Sequence, residues 1–107
     1  MKTDEVAAAM DALGHEARLG ILRALVRAGE AGLTVAEIQQ RLGGMPRSTL
    51  THHMQKLVMA QLVLQEKVSA SVVTRANYDV MRSVLTYLSD ECCIEEDARL
   101  PERSGVS

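Results

Sequence analysis

The run from Pro46 to Leu57 constrains this chain more than any other stretch, because it can form only one kind of helix. At 3.6 residues per turn Leu50, His53, Met54 and Leu57 share one side, while Arg47, Ser48, Thr51, His52 and Gln55 crowd the other. The outer side carries hydroxyls, imidazole, amide and guanidinium but no carboxylate, whereas a merely solvated helix mixes Glu with Lys. Such a surface suits phosphates and base edges.

The preceding segment matches it. Thr34-Val35-Ala36-Glu37 fits a capping box, with a hydroxyl at the cap and a carboxylate three residues on, and predicts a helix of about two turns burying Val35, Ile38 and Leu42. Gly43-Gly44-Met45-Pro46 supplies a turn. Two short helices joined by a glycine turn, the second bearing the bonding face, make a helix-turn-helix.

Around this unit, Thr3 or Asp4 can cap a first helix through Leu13, with Val6, Met10 and Leu13 spaced to bury. Gly14 interrupts it, and His15-Glu16 opens a second helix to about Ala28. There Leu19, Leu22, Leu25 and Val26 follow a helical period and Arg18, Arg23 and Arg27 look outward, before Gly29 and Gly32 end it in a loop. Past Leu57, Leu62–Lys67 and Ser71–Arg75 read as two short strands joined near Val68-Ser69-Ala70. Lys67 and Arg75 are the cations of this hairpin, whose turn lacks Gly and Asn.

Asn77 caps a last helix expected from Tyr78 to about Cys92. Its stripe of Met81, Val84, Leu85 and Leu88 exceeds what one small domain covers, and with the first helix it implies a dimer interface. The expected fold is mainly α with a small β-hairpin, in the order α-α-α-α-β-β-α. One domain spans residues 1–93, and residues 94–107 form an acidic, flexible tail.

Composition bears on partners. The net charge of -2 argues against nucleic acid only until it is divided: residues 1–40 hold four Lys/Arg against six Asp/Glu, residues 41–75 hold five against one, and residues 76–107 hold three against seven. The positive block encloses the helix at Arg47–Leu57, and phosphate attraction follows the local field. No stretch resembles a signal peptide or a membrane span, so a cytoplasmic protein without membrane contact is expected.

In this order the phrases Leu13-Gly14-His15-Glu16-Ala17-Arg18-Leu19-Gly20-Ile21-Leu22, Ser48-Thr49-Leu50-Thr51-His52-His53-Met54, Ala60-Gln61-Leu62-Val63 and Arg75-Ala76-Asn77-Tyr78 resemble the ArsR/SmtB family of bacterial winged helix-turn-helix repressors. The resemblance covers roughly residues 4–93. It implies a homodimer joined through first and last helices, holding a double-stranded DNA operator until an inducer weakens its grip. It also implies that the helix from about Ser48 to Ala60 enters the major groove. Gln55 and His52 are then the base readers, and Arg47, Ser48, Thr49 and Thr51 sit on the same face, with Arg47, Ser48 and Thr49 suited to phosphates; Lys67 and Arg75 of the wing complete the candidate DNA contacts. Family members commonly have Ala-Gly-Leu where this chain reads Ala60-Gln61-Leu62, and the usual wing glycine is missing.

Cys92 and Cys93 are the only cysteines. Neighbouring Cα atoms lie about 3.8 Å apart, below the usual disulfide range of roughly 4.4–6.8 Å, so the pair is a poor structural staple and a better soft-ion or oxidant sensor. On a continuous helix Cys92 would extend the apolar stripe and Cys93 would turn about 100° away. The acids Asp90, Glu91, Glu95, Glu96 and Asp97 should raise thiol pKa values. The family's metal sites are absent, since Ala36-Glu37-Ile38-Gln39-Gln40 has no thiol and Asp79-Val80-Met81 no histidine. A vicinal pair closing the last helix instead resembles an arsenite-responsive group. As(III) is thus the expected inducer and no cofactor is required, with a thiol-redox or persulfide switch as the alternative.

Two further readings are weighed. His52 and His53 look like a metal pair but point about 100° apart. No nucleophile triad, phosphate-cradling loop or Cys-x-x-Cys motif supports an enzyme, whereas a winged-helix protein-interaction module without DNA binding stays open.

Overall fold

The computed structural model describes residues 1–96. Helices α1 (Thr3–Leu13) and α2 (Glu16–Ala28) are followed by a 3-10 turn at Gly29–Ala31 and strand β1 (Leu33–Thr34). Then come α3 (Val35–Arg41), α4 (Arg47–Met59), β2 (Val63–Val68), β3 (Ser71–Ala76) and α5 (Tyr78–Ser89). The order matches the expected winged helix-turn-helix, with one addition. β1 joins the hairpin to make an antiparallel sheet of order β1-β3-β2, pairing Leu33 with Thr74 and Thr34 with Val73. Two residues are too few for any period to announce a strand.

Local chemistry explains most boundaries. The Thr34 box is closed on both sides, the Glu37 N–H donating to Thr34 Oγ1 at 3.2 Å and the Thr34 N–H to Glu37 Oε1 at 2.8 Å. Asn77 Oδ1 accepts from the Val80 N–H at 3.4 Å and starts α5. At α1 neither Thr3 nor Asp4 is the cap. Glu5 Oε1 accepts from the Lys2 N–H at 2.7 Å, while the Thr3 hydroxyl bonds the Tyr87 hydroxyl and ties α1 to α5.

The core forms around the fully buried Ile21, Leu25, Ile38, Leu50, Leu57 and Leu62. In α1 the inward residues are Val6, Ala9 and Ala12, not Met10, which is exposed, or Leu13, which is half-buried. Alanines let the helices approach closely, so the small residues take the interior. In α2 the inward face is Ile21, Leu22 and Leu25, and Leu19 and Val26 are exposed. Arg18 is not an outward residue either, because its guanidinium donates to the Ala12 carbonyl at 3.4 Å and its Nε is buried.

The hairpin turn is a tight two-residue loop, Val68 pairing with Ser71, and Ser69 takes φ 58 without a glycine. Gln61 behaves similarly. It adopts φ 62, and its carbonyl accepts from Asn77 Nδ2 at 2.9 Å, so the turn before the wing keeps a glycine-like backbone without glycine.

α5 ends earlier than expected, at Ser89 rather than near Cys92. Asp90 is extended at φ -59, ψ 143, and Glu91 and Cys93 lie at φ 60 and 63, so no helix runs through the thiols. The apolar stripe also divides. Val84 is buried and Met81 half-buried, but Leu85 and Leu88 are 63% and 58% exposed, and Met10 on α1 is exposed as well. The tail expected over 94–107 lies, from residue 97 on, outside the described residues.

Candidate nucleic-acid interface

Burial along α4 follows the helical period residue by residue. Leu50, His53, Met54 and Leu57 are buried, while Arg47, Ser48, Thr49, Thr51, His52 and Gln55 are all exposed. Pro46 is the cap residue, at φ -56, and no side chain closes the helix start. The hydroxyls of Ser48 and Thr49 are therefore not engaged as caps, and the first turn presents open N–H groups with no acid among them.

Arg47 is positioned rather than free to wander. Its Nε donates to Gln39 Oε1 at 2.9 Å, and Gln39 Nε2 donates to the Met45 carbonyl at 2.8 Å. Gln39 thus fixes both the interhelical turn and the guanidinium. Nothing in the sequence marks this role, since the partners stand on different helices.

The wing separates its two cations. Lys67 pairs with Val72 and shares the face of Val63, Gln65 and Thr74, whereas Arg75 sits opposite Leu64 on the other face. Arg75 also ion-pairs with Glu66 at 3.1 Å, which reduces the charge it offers. Lys67 is exposed next to the hairpin turn, and Arg75 is half-buried at the base of the hairpin.

All three histidines lie together. His53 is 7% exposed, its ring centroid 4.6 Å from His15 and 5.9 Å from His52. His15 Nδ1 accepts from the Ala17 N–H at 3.2 Å and caps α2. Burial, then the charges of His15, Arg18 and His52, hold the His53 pKa below the ordinary imidazole value. His53 is thus a core residue facing α2. Because the unfolded chain takes up the proton first, near pH 6.5, stability is full above that value and is lost as pH falls toward the lower folded pKa. Thermal melts from pH 7.5 down to 5.5 should show this decline, and His53→Leu should flatten it; an equal decline in the variant would remove His53 as its source.

Cys92 and Cys93 are exposed and not bonded to one another, their Sγ atoms 3.2 Å apart. The left-handed backbone at Cys93 brings together thiols that a helix would have splayed. Cys93 is pushed up to about 11, first by its hydrogen bond to Cys92 and then by Glu96. Among the acids expected to act, Glu96 is the one that does so at Cys93; Asp97 lies outside the described residues. Among the described residues no three His, Cys, Asp or Glu side chains converge to hold a metal ion, and His52 and His53 do not form such a site. No helix among them is long and apolar enough to cross a membrane.

The profile of the helix-turn-helix domain family matches residues 13–66. A search of curated protein sequences found no match. Among solved structures, an ArsR-like transcriptional regulator from Rhodococcus sp. RHA1 is 26% identical with TM-score 0.74, covering 92% of this chain and 88% of that one. The homodimeric winged helix-turn-helix DNA-binding domain of a possible ArsR-family regulator from Mycobacterium bovis is 27% identical with TM-score 0.66, covering 87% and 84%. Reduced HlyU from Vibrio cholerae is 25% identical with TM-score 0.64, covering 85% and 92%.

Proposed function

Because the chain belongs to the helix-turn-helix domain family, in its winged ArsR-type form, we propose that this DNA-binding transcriptional regulator is a homodimeric repressor. It is released from a double-stranded operator when arsenite engages Cys92 and Cys93. The observation that carries the DNA reading is the exposed, acid-free face of α4. Two copies must enter successive major grooves about 34–36 Å apart, and the exposed Leu85 and Leu88 of α5, with Met10 of α1, offer the apolar surface that would join them.

On α4 the division of labour follows from geometry. Gln55, two turns into the helix, reads an adenine through N6 and N7, and His52 donates to a base acceptor. Arg47, at the helix start and oriented by Gln39, holds a phosphate. Gln55→Ala is expected to relax preference at one or two base pairs, by about 1–3 kcal/mol each, and Arg47→Ala to weaken all sequences alike and lower the salt slope by about one. Titrations on variant operators decide this, and equal losses for both substitutions on every sequence would defeat the assignment.

The thiol reading rests on the 3.2 Å Sγ separation. Arsenous acid is uncharged and exchanges hydroxide for thiol, each As–S bond forming as one water leaves with the thiol proton. A thiol held protonated does not prevent this exchange, whereas oxidant sensors depend on thiolate. The third arsenic ligand is retained hydroxide, a small thiol or a partner-subunit group. Anisotropy of labelled upstream DNA, with and without arsenite, tests the reading, and no release by arsenite would refute it.

A further inference from the structure

A cavity of about 540 Å³ lies between α2 and the last turn of α3, and neither α4 nor the cysteines line it. Arg23 and Arg27, one turn apart on α2, and Arg41 of α3 line it, and no acidic side chain does. Among the described residues none of these arginines forms an ion pair. The carboxylate nearest in sequence to Arg41 on α3, Glu37, is held in the Thr34 cap and feels the charge of Arg41 without forming an ion pair with it. Three guanidinium groups around one hollow repel each other, and an acidic chain of net charge -2 has carboxylates available elsewhere to balance them.

The floor is apolar, built from Ala24, Ala28 and Leu42. Gly20 completes it, and a Cβ there would stand 3.5 Å from Leu42 Cδ2, an ordinary contact. Packing therefore does not demand glycine at this helix-interior position, where it costs about 1 kcal/mol relative to alanine. Its missing side chain leaves the hollow open. The volume falls within the roughly 300–1,000 Å³ of small-molecule sites, and guanidinium forks match oxyanions in pairs.

We propose that this hollow binds a small organic anion, a carboxylate or phosphate carried on a short apolar body. Arg23, Arg27 and Arg41 hold the oxyanion, and the body lies over Gly20, Ala24 and Leu42. The site spans α2 and α3, and α3 carries the Gln39 that positions Arg47, so occupancy would reach the start of α4. Binding itself stands whether or not the chain holds an operator.

Calorimetric titration of the full chain with phenyl phosphate, benzoate and inorganic phosphate, at constant ionic strength in chloride, tests this. The expected result is saturable binding of one phenyl phosphate or benzoate per chain, tighter than inorganic phosphate, the two organic arms separating phosphate from carboxylate. Arg23→Gln/Arg41→Gln should weaken it at least roughly tenfold, as loss of charge-assisted hydrogen bonds predicts. Gly20→Leu keeps every charge but fills the floor, and should abolish it. Absence of saturation, equal binding by the variants, or binding by the Gly20→Leu chain equal to wild type would overturn the proposal. So would a loss of duplex affinity in the arginine variant with no anion binding by wild type, since the arginines would then clamp DNA phosphates.

Discussion

Cys92→Ser/Cys93→Ser is expected to hold the operator within about twofold of the wild-type affinity and to lose all response to arsenite, whereas arsenite should weaken the wild type roughly 5–150-fold, the usual span of coupling between sites. Both thiols are exposed and lie beyond the end of α5, so serine removes no core contact and no helix-end bond. Only the sulfur chemistry is removed. Each single variant should also fail, because one thiol cannot chelate. Mass spectrometry gives an independent reading, with one arsenic added per chain as two waters leave. Arsenic retained by the double variant, or release of DNA by arsenite from that variant, would place the sensor elsewhere.

If the thiols bind the inducer as proposed, the path from them to a dimer interface would differ from what a continuous helix would require. With both cysteines on α5, a ligand joining them would have to unwind the helix end. The chain is already turned there: the Asp90 N–H donates to the Thr86 carbonyl at 2.7 Å, the Cys92 N–H to the Ser89 carbonyl at 3.1 Å, and the sulfurs are adjacent. Chelation would therefore lock a turn in place. On the proposed reading its route to a dimer interface would run through Ile94, 67% exposed in that turn, and the exposed Leu85 and Leu88 of the preceding helix. A two-state change built from such a turn needs little reorganisation of the core.

The face of α4 was legible in sequence because one core decides every position: a helix packed on one side obeys its period. The inward face of α1 is not legible in the same way, because Ala9 and Ala12 weigh little in an apolar pattern that Met10 dominates, although close packing favours the smaller residues. The end of α5 is hidden in the sequence, because apolar spacing continues through Cys92 and no glycine announces the left-handed residues at Glu91 and Cys93. The Glu66–Arg75 pair and the opposition of Lys67 to Arg75 depend on hairpin register. Hairpin register follows the turn type, and this turn runs through Ser69 rather than through glycine or asparagine. The arginine hollow was visible only as outward arginines until α3 was laid against α2.

Gly32 marks where the unannounced strand is attached, and Gly32→Ala is expected to be the costliest small substitution in the chain. Gly29 and Gly32 share an uncommon backbone, at φ 75, ψ -153 and φ 67, ψ -171. That region is essentially reserved for glycine, and a side chain there costs about 1–3 kcal/mol. The two differ in surroundings. A Cβ at Gly29 meets nothing within 4 Å, but at Gly32 it would lie 2.6 Å from the Thr74 carbonyl oxygen and 2.7 Å from both Arg75 Cγ and Val73 Cγ1. The carbonyl belongs to β3 and cannot swing aside without breaking the pairing of Leu33 with Thr74. Overpacking of this kind adds about 1–3 kcal/mol. Gly29→Ala therefore isolates the backbone term and Gly32→Ala carries both, so the second should melt about 4–8 °C lower for each additional kcal/mol. Because β1 is the edge that braces β3, a Gly32→Ala chain that still folds should also hold DNA less well through a misplaced wing, whereas Gly29→Ala should not. Equal melting losses for the two variants would mean that β1 does not press on β3 as closely as this geometry requires.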